Sequence, residues 1–307
     1  MVVYRELSSL VRDLGVSARV LYGVSNRIPD HYHLVTLEKG NGEPRLLYVP
    51  DPRLKVIQRR IAQRLLCYEE VSRFAMAYRI GGSTLANARP HVGRPVLLKL
   101  DIRHFFDHIL YPMVKDAAFP AERYSESNRI LLSLLCVYRD ALVQGAPTSP
   151  VISNIILRDF DETVGEWCRQ RKIHYTRYCD DMTFSGDFDP HPVHSFVADR
   201  LREMGFFLNE KKTVVAKAGQ KQLVTGLVVN DKVRVPASYR KRLRQELYFC
   251  QKYGVRSHME RAHISGEERA YLRRLLGQVQ YVLSADREDP AFLLARDWLL
   301  AALDQHR

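Results

Sequence analysis

The sequence predicts an α+β fold in which an antiparallel sheet packs on helices. Helical patterns outnumber strand patterns along the 307 residues, and the strand patterns cluster in the middle of the chain with long helical stretches between them. A chain of this length can bury a full hydrophobic core, as one large domain or two of moderate size.

The first part of the chain predicts a hairpin followed by an amphipathic helix. HLVTLEKGNGEPRLLYVP alternates apolar residues around a Gly-Asn-Gly turn, which is typical of two antiparallel strands. In DPRLKVIQRRIAQRLL the apolar residues recur at helical spacing, and the other face is rich in Arg and Lys. The apolar stripe consists of Leu54, Ile57, Ile61 and Leu65.

The centre of the chain predicts a strand, a helix and a second hairpin. RPVLLKLDIRHFFDHI begins as a continuous apolar strand, so Asp101 falls at or just beyond its end. TSPVISNIILRDFDETVGEWCRQ keeps helical spacing after a Pro-rich entry and predicts one helix. IHYTRYCDDMTFSG then gives two short strands flanking Cys179 and Asp180, before the helical stretch VHSFVADRLREMG.

The last third of the chain returns briefly to strand and then becomes helical. LVTGLVVNDKVRVP has a strand pattern, and helical patterns continue from Pro236 to the end, with a boundary near Val235. In SYRKRLRQELYFCQKYG one face is apolar and the opposite face is basic. The basic face carries Arg240, Lys241, Arg242 and Arg244.

The formal charge of +12 favours a polyanionic partner. Nucleic acid is preferred to an anionic membrane, because no apolar run reaches spanning length and the start MVVYRELSSLVRDLG lacks the layout of a secretory signal. Five cysteines are scattered without a Cys-x-x-Cys pair or zinc-like spacing. We therefore expect a reduced, cytoplasmic protein without a membrane partner; the sequence does not define its oligomeric state.

Three carboxylates are candidates for metal binding. Asp101 ends one strand, while Asp180 and Asp181 lie at the tip of a hairpin, so the three converge if the strands are neighbours. Such a cluster is costly without cations, and two divalent ions held by it would suit an in-line phosphoryl displacement. The alternative is an ordinary surface turn, which is the commoner fate of an isolated Asp-Asp pair.

The stretch QGAPTSP, from Gln144 to Pro150, has two interpretations. Gly145 and Pro147 bring the backbone close to a ligand, and Thr148 or Ser149 caps a helix whose N-terminus favours phosphate. Alternatively, it is only a capped loop that enters a helix.

The order of these blocks resembles the reverse transcriptase family over about residues 28–229. DIRHFF resembles the first metal-binding block, QGAPTSP the substrate-side block, YCDD the Y-x-D-D signature, and GFFLNEKKT the block that ends in a lysine. Two further stretches resemble the retron branch: NARPH matches N-A-x-x-H, and Val224-Thr225-Gly226 matches V-T-G.

The resemblance implies a right-hand polymerase fold with fingers, palm and helical thumb. Residues 1–95 would form the fingers and 96–235 the palm, with part of the fingers inserted at about 111–142. Residues 236–307 would form an RNA-binding thumb.

The resemblance also implies catalytic roles around two Mg²⁺ ions. Asp101 and Asp180 would hold the ions, with Asp181 as a supporting ligand or electrostatic partner and the carbonyl of Ile102 completing one shell. Lys212 would approach the leaving pyrophosphate as a charge stabiliser or proton donor, unless it is a solvated surface residue.

A further set of residues would form the site for the deoxynucleoside triphosphate (dNTP). The ring of Phe106 would exclude a ribose 2′-hydroxyl. The alternative is that Phe105 and Phe106 are both core residues, although side chains that alternate along a strand would place at most one of them on the inner face of the sheet. Gln144 and Gly145 would line the nucleotide pocket. At the fingertip, Arg45 would bind the triphosphate, with Lys39 as a helper.

Nucleic-acid contacts are implied at several other positions. Arg79 would contact template phosphates, and Tyr178 would lie against the primer end or simply pack the hairpin. Asn87 and His91 belong to the element that holds the RNA or the local fold, and Thr225 would lie on a strand near the primer grip. In the thumb, Arg240, Lys241 and Arg244 would contact RNA.

The predicted function is that of a retron-type RNA-directed DNA polymerase. Such an enzyme would copy part of a cognate structured noncoding RNA of the msr-msd type. Synthesis would start from a 2′-hydroxyl of that RNA and leave an RNA–DNA product. The enzyme would act in defence against phage, usually with a separate effector protein. A group II intron or diversity-generating reverse transcriptase is an alternative within the family, although the chain ends too soon for a maturase. A catalytically silent RNA-binding scaffold is the alternative from another class.

Overall fold

The computed structural model describes residues 3–38 and 44–305. These residues divide into two compact units, one of 1–82 with 98–215 and one of 83–97 with 216–307. This division groups residues 83–97 with the C-terminal part of the chain. Compact units are not functional subdomains, so the fingers, palm and thumb bounds remain a prediction.

The first unit begins with short helices, a hairpin and a longer helix. Helices α1 and α2 span Leu7–Leu14 and Ala18–Ser25, strands β1 and β2 span Tyr32–Glu38 and Pro44–Pro50, and helix α3 spans Pro52–Arg64. The strands pair antiparallel, as predicted. Asp51 caps α3 by accepting a hydrogen bond from the Leu54 N–H at 2.7 Å. The predicted apolar stripe of α3 is buried in the core of this unit.

Further along the chain come the elements that carry the acids. Helix α4 spans Thr84–Ala88 and strand β3 spans Val96–Asp101. The following helices are α5 (Tyr111–Ala118), α6 (Glu126–Cys136), α7 (Ser149–Ile156) and α8 (Arg158–Gln170). Strands β4 (His174–Tyr178) and β5 (Asp181–Gly186) form the second hairpin, and helix α9 spans Pro190–Glu203.

The stretch predicted as one helix after QGAPTSP is two helices. The chain leaves helical geometry at Leu157, where ψ is 3°, and α8 starts directly afterwards. The apolar spacing continues across this break, which is why the sequence pattern did not reveal it.

The second unit is mainly helical. The last strands of the chain are β6 (Val214–Lys217), β7 (Leu223–Val224) and β8 (Leu227–Val228). The closing helices are α10 (Ala237–Tyr253), α11 (Val255–Arg261), α12 (Glu268–Ala285) and α13 (Pro290–Gln305), as the helical patterns predicted. Within residues 3–38 and 44–305, every helix is too short or too polar to span a lipid bilayer.

The central sheet has four strands in the order β4-β5-β3-β6. Strand β3 is therefore a direct neighbour of the hairpin strand β5, although the two are separated by four helices in the chain. The hairpins β1-β2, β4-β5 and β7-β8 are antiparallel. Together with the helices that surround them, they confirm the predicted α+β class.

Helix α8 has a glycine where a side chain would collide with a neighbouring ring. A Cβ built on Gly165 would lie 2.1 Å from the ring of Phe74. The Phe74 ring packs against the core at this point and contacts the Tyr175 ring in a tilted arrangement, with 5.5 Å between ring centroids. The contact brings residues 74–77 against α8 and next to strand β4.

We predict that Gly165→Ala lowers the free energy of unfolding by about 1–3 kcal/mol, because the added methyl group overpacks this contact. Chemical denaturation measures the change. The matched control is Gly277→Ala in α12, where nothing lies within 4 Å of the added Cβ. That substitution should stabilise by about 0.5–1 kcal/mol through helix propensity. Equal effects at both positions would contradict the packing described here.

Candidate active site

The tip of the β4-β5 hairpin carries two half-buried acids on a tight turn. Tyr178 pairs with Asp181, so the loop consists of Cys179 and Asp180. Of the two loop residues, Cys179 alone has a positive φ, 61°. This is the pattern of a type II′ turn, in which the first loop residue is usually glycine. Asp180 therefore lies at the tip and Asp181 begins strand β5.

The end of β3 meets this hairpin tip through the backbone. The Ile102 N–H donates to the Asp180 carbonyl at 3.1 Å. On its other side, the Asp101 carbonyl accepts from the Asn209 N–H at 2.8 Å. The structure thus brings Asp101 beside the hairpin acids, as the geometric hypothesis required, and adds the GFFLNEKKT segment to the same place.

The carboxylate of Asp101 is buried and has two partners. It is 4% exposed, and its Oδ2 accepts from Lys212 Nζ at 2.7 Å while its Oδ1 accepts from Asn209 Nδ2 at 3.2 Å. Lys212 lies in a short 3₁₀ helix, Glu210–Lys212, and its side chain is 59% exposed. Of the two roles left open for this lysine, its position favours the one at the acids.

The charges of the site perturb one another. Burial raises the pKa of the Asp181 carboxyl, and the neighbouring charges of Asp180 and Asp101 raise it further, while Lys99 and Lys212 act in the opposite direction. Partial burial would lower the pKa of the Lys212 ammonium, but its hydrogen bond to Asp101 and the charges of the three acids raise it. Beside burial, the negative charge of the neighbouring acids contributes to both shifts.

The donor chemistry fits a hard divalent cation. Asp101, Asp180 and Asp181 offer only carboxylate oxygens, the ligands that Mg²⁺ prefers. Among the residues that the structure describes, no group of three or more His, Cys, Asp or Glu is arranged to hold a metal ion. Asp101 is neutralised by the Lys212 ammonium in this arrangement. An ion bound here would be held by the three acids in a different arrangement, in place of the Lys212 ammonium that compensates Asp101 in this structure.

The expectation that at most one of the two phenylalanines would be buried is wrong. Phe105 is 3% exposed and Phe106 is 8% exposed. The alternation rule fails because the chain has already left the strand: His104 has a positive φ, and Phe106–His108 forms a 3₁₀ turn. The rings of Phe105 and Phe106 contact each other, with their centroids 5.2 Å apart.

The loop before α7 uses a glycine at a conformation that favours glycine. Gly145 has φ 98° and is exposed, next to the half-buried Gln144. The predicted side-chain cap is wrong: Thr148 occupies the N-cap position but makes no capping bond, and Ser149 Oγ donates to the Val143 carbonyl at 2.8 Å instead.

The predicted fingertip contacts fall at the edge of the described chain. Arg45 belongs to strand β2, but its side chain, like the whole of Lys39, lies outside the described residues. Arg79 donates to the Ser72 carbonyl at 3.2 Å. Tyr178 is half-buried and packs against the core, which agrees with its packing role and leaves part of the ring accessible.

The two stretches that resemble retron elements meet in the second unit. Asn87 Nδ2 donates to Thr225 Oγ1 at 3.5 Å, and Thr225 Oγ1 donates to the Thr84 carbonyl at 3.0 Å. Thr225 lies in the turn between β7 and β8, not on a strand as predicted, because Thr225 and Gly226 both have positive φ. Asn87 is 1% exposed and His91 is fully buried, which favours the role in the local fold over direct RNA contact.

The basic face of α10 is only partly available to a ligand. Arg240 forms an ion pair with Asp289 at 3.5 Å and is largely buried by it. Arg244 is exposed and lies over the Phe292 ring at 5.9 Å, and Lys241 is exposed. Lys241 and Arg244 are therefore better candidates for phosphate contacts than Arg240.

Sequence reasoning missed several residues at the acids. Lys99 precedes Asp101 by two positions on β3, and the strand period could have placed it on the same face. Asn209 lies within the block GFFLNEKKT, in which the resemblance assigns a role to Lys212 only. Arg177, which donates to the Cys179 carbonyl, had no local signal that distinguished it from a surface arginine.

Comparison with known proteins identifies the family. The model of the family described as reverse transcriptase (RNA-dependent DNA polymerase) matches residues 37–235. Retron Mx65 reverse transcriptase of Myxococcus xanthus is 35% identical over 288 residues, 86% of this chain and 67% of that protein. Two Escherichia coli proteins also match. Retron Ec83 reverse transcriptase is 32% identical, and the match covers 79% of this chain and 83% of that protein. Retron Ec86 reverse transcriptase is 30% identical, and the match covers 74% of this chain and 73% of that protein.

Among solved structures, telomerase from Candida albicans aligns over 89% of this chain and 63% of its own, at 12% identity and a TM-score of 0.47.

A fold with this sheet, this order of blocks and this group of acids defines a template-directed polymerase of the reverse transcriptase class. The chain belongs to the reverse transcriptase family and, within it, to the retron reverse transcriptases. It therefore has the right-hand polymerase fold and acts as an RNA-directed DNA polymerase. Family membership also implies dependence on a divalent metal, dNTP substrates and an RNA template.

We predict that Phe106→Val weakens discrimination against ribonucleotides by about 10–100-fold, because a smaller side chain leaves room for a 2′-hydroxyl. The measurement is the ratio of kcat/KM for a dNTP and its ribonucleotide on one primed RNA template.

The matched control is Phe105→Val, which removes a similar volume from the adjacent buried ring and should lower stability without changing sugar selectivity. If both variants discriminate like the parent, or both change equally, Phe106 does not guard the sugar.

Proposed function

We propose that the acids at the end of β3 and at the β4-β5 turn hold two Mg²⁺ ions for DNA synthesis. The observation that carries this proposal is the hydrogen bond from the Ile102 N–H to the Asp180 carbonyl, which keeps the two acidic segments adjacent. Bound ions would stabilise the attacking and leaving oxygens of the phosphoryl displacement. The carboxylates of Asp101 and Asp180 would hold them, with Asp181 in support.

The other residues would bind and orient the nucleotide. Lys212, already at the acids, would place its ammonium near the leaving pyrophosphate, where it can stabilise charge or donate a proton. Phe106 would lie under the incoming sugar, and Gln144 and Gly145 would line the pocket. Arg45 would contact the triphosphate. The Ile102 carbonyl is a further candidate metal ligand.

The proposed template is a cognate noncoding RNA of the msr-msd type. Synthesis would start from a 2′-hydroxyl of that RNA and yield a joined RNA–DNA product, serving defence against phage with a separate effector. Similarity to three retron reverse transcriptases supports the retron type. In this proposal residues 1–95 are fingers, 96–235 palm and 236–307 thumb, with Arg79 and Tyr178 near template and primer.

Asp180→Asn should reduce primer extension at least about 100-fold, since it removes a ligand charge while keeping the shape of the side chain. The assay is extension of a primed RNA template with dNTPs and Mg²⁺. The control is Asp187→Asn, the same change at an exposed aspartate just beyond β5. Extension by Asp180→Asn at the parent rate would refute the metal assignment.

The thumb proposal is tested by charge reversal on α10. A double Lys241→Glu, Arg244→Glu variant should bind the cognate RNA about 10-fold or more less tightly, with a smaller loss on a generic primer–template. Filter binding at fixed salt measures both affinities.

The control for net charge is Arg269→Glu with Arg273→Glu, two exposed arginines of α12. Equal losses on both substrates would mean that the α10 face is a general clamp, and equal losses in the control variant would mean that only total charge matters.

A further inference from the structure

A charge pair with no solvent exposure lies directly beneath the acid turn. The side chains of Arg177 on β4 and Asp161 on α8 are both 0% exposed. Arg177 Nε donates to Asp161 Oδ1 at 2.8 Å, and Arg177 Nη2 donates to Asp161 Oδ2 at 2.6 Å. Buried ion pairs are weak contributors to stability compared with apolar packing, and they are well suited to fixing one particular geometry. The geometry fixed here includes the turn.

The third nitrogen of Arg177 acts on the backbone next to Asp180. Its Nη1 donates to the Cys179 carbonyl at 2.8 Å. Cys179 holds a left-handed conformation, with φ 61°, which a residue with a side chain adopts only where its surroundings enforce it. Asp180 is thus held from both sides, by Arg177 at the preceding carbonyl and by the Ile102 N–H at its own.

The side chain of Arg177 is itself held by two helices, through Asp161 on α8 and Asn154 on α7. Asp161 also accepts from the Tyr175 hydroxyl at 2.7 Å. Arg177 Nη2 donates to Asn154 Oδ1 at 3.2 Å, and Asn154 Nδ2 donates to the Ala77 carbonyl at 2.9 Å. Asn154 lies on α7, the helix that follows the Gln144–Gly145 loop.

The backbone of Arg177 adds a second connection to residues 74–77. Its N–H donates to the Phe74 carbonyl at 2.8 Å, and its carbonyl accepts from the Met76 N–H at 2.7 Å. The arginine therefore cannot shift without moving its neighbours.

We infer that Arg177 is a positioning residue for the acid turn, which acts through the Cys179 carbonyl and not by touching substrate. The inference rests on the proposed metal-binding role of Asp180 and Asp181. Without the hydrogen bond from Nη1, the turn relaxes from the left-handed conformation at Cys179, and the positions of the two carboxylates relative to Asp101 change. A misplacement of about 1 Å at such a site lowers the rate on the order of 100-fold.

The test is Arg177→Lys, which keeps the positive charge but cannot make the paired contact to Asp161 and the third hydrogen bond together. At equal folded fraction, judged by circular dichroism, kcat should fall about 10–100-fold and the Mg²⁺ concentration for half-maximal rate should rise about 10-fold. The KM for dNTP and the affinity for primer–template should stay within about twofold of the parent, because Arg177 is buried away from both. Mn²⁺ binding to the protein without substrates, followed by electron paramagnetic resonance, should weaken in parallel.

Two further variants separate positioning from general stability. Tyr175→Phe removes one hydrogen bond to Asp161 and leaves the contacts of Arg177 in place, so it should lower Tm without changing Mn²⁺ affinity. Cys179→Gly allows a positive φ without strain, so adding it to Arg177→Lys should restore part of the lost Mn²⁺ affinity and kcat.

Parental Mn²⁺ affinity in Arg177→Lys, or no recovery on adding Cys179→Gly, would overturn the inference. If Arg177→Lys alone does not fold, recovery of folding and Mn²⁺ binding in the double variant supports it, while failure of both to fold contradicts it. A parent protein that binds Mn²⁺ but does not extend a primer would contradict the proposed function, and the comparison of Mn²⁺ affinities would still decide the role of Arg177.

Discussion

One backbone hydrogen bond, from the Ile102 N–H to the Asp180 carbonyl, holds together the two acidic segments of the proposed active site. It joins the end of β3 to the tip of the β4-β5 hairpin, so that carboxylates nearly eighty residues apart in sequence share one place. The same place then has an excess of negative charge. Two lysines compensate this charge: Lys212 forms an ion pair with Asp101, and the charge of Lys99 acts on Asp181. The proposed divalent ions would take over this compensation of charge when they bind.

Hydrogen bonds from neighbouring segments hold the acidic residues, and further hydrogen bonds hold those segments. The Asp101 carbonyl and carboxylate are both held by Asn209, and the turn before Asp180 is held by Arg177. Arg177 is in turn fixed by Asp161 on α8, so the helices behind the sheet define where the acids point. Sites built on strands and braced in this way keep their geometry better than sites on unsupported loops.

Much of the fold could be predicted from the sequence, because periodicity reports which face of an element is buried. The stripe on α3 and the strand ending at Asp101 are examples of this. Local backbone changes could not be predicted in the same way. Phe105 and Phe106 are both buried because the chain leaves β3 after Asp101 and turns at His104, and Thr225 lies in a turn because two successive residues take positive φ. Neither change alters the spacing of apolar residues.

The site was predictable in its motifs but not in its supports. YCDD and DIRHFF are contiguous patterns with a known order, so their meeting could be expected. The partners of Arg177 lie 16 and 23 residues away in sequence, and Asn87 meets Thr225 across 138 residues. Such contacts depend on how elements pack, which a single sequence does not reveal. Burial of Asn87 and His91 likewise became evident only in the folded chain.

The central claim is that the two acidic segments form one metal site. The most direct measurement replaces Mg²⁺ with Fe²⁺ and adds ascorbate and peroxide, so that hydroxyl radicals cleave the backbone next to the bound ion, and the cut positions are mapped by mass spectrometry. If both segments bind the ion, the backbone should be cleaved both around Asp101 and around Asp180. Excess Mg²⁺ should protect both segments from cleavage. Cleavage at one segment alone, or at neither, would contradict it.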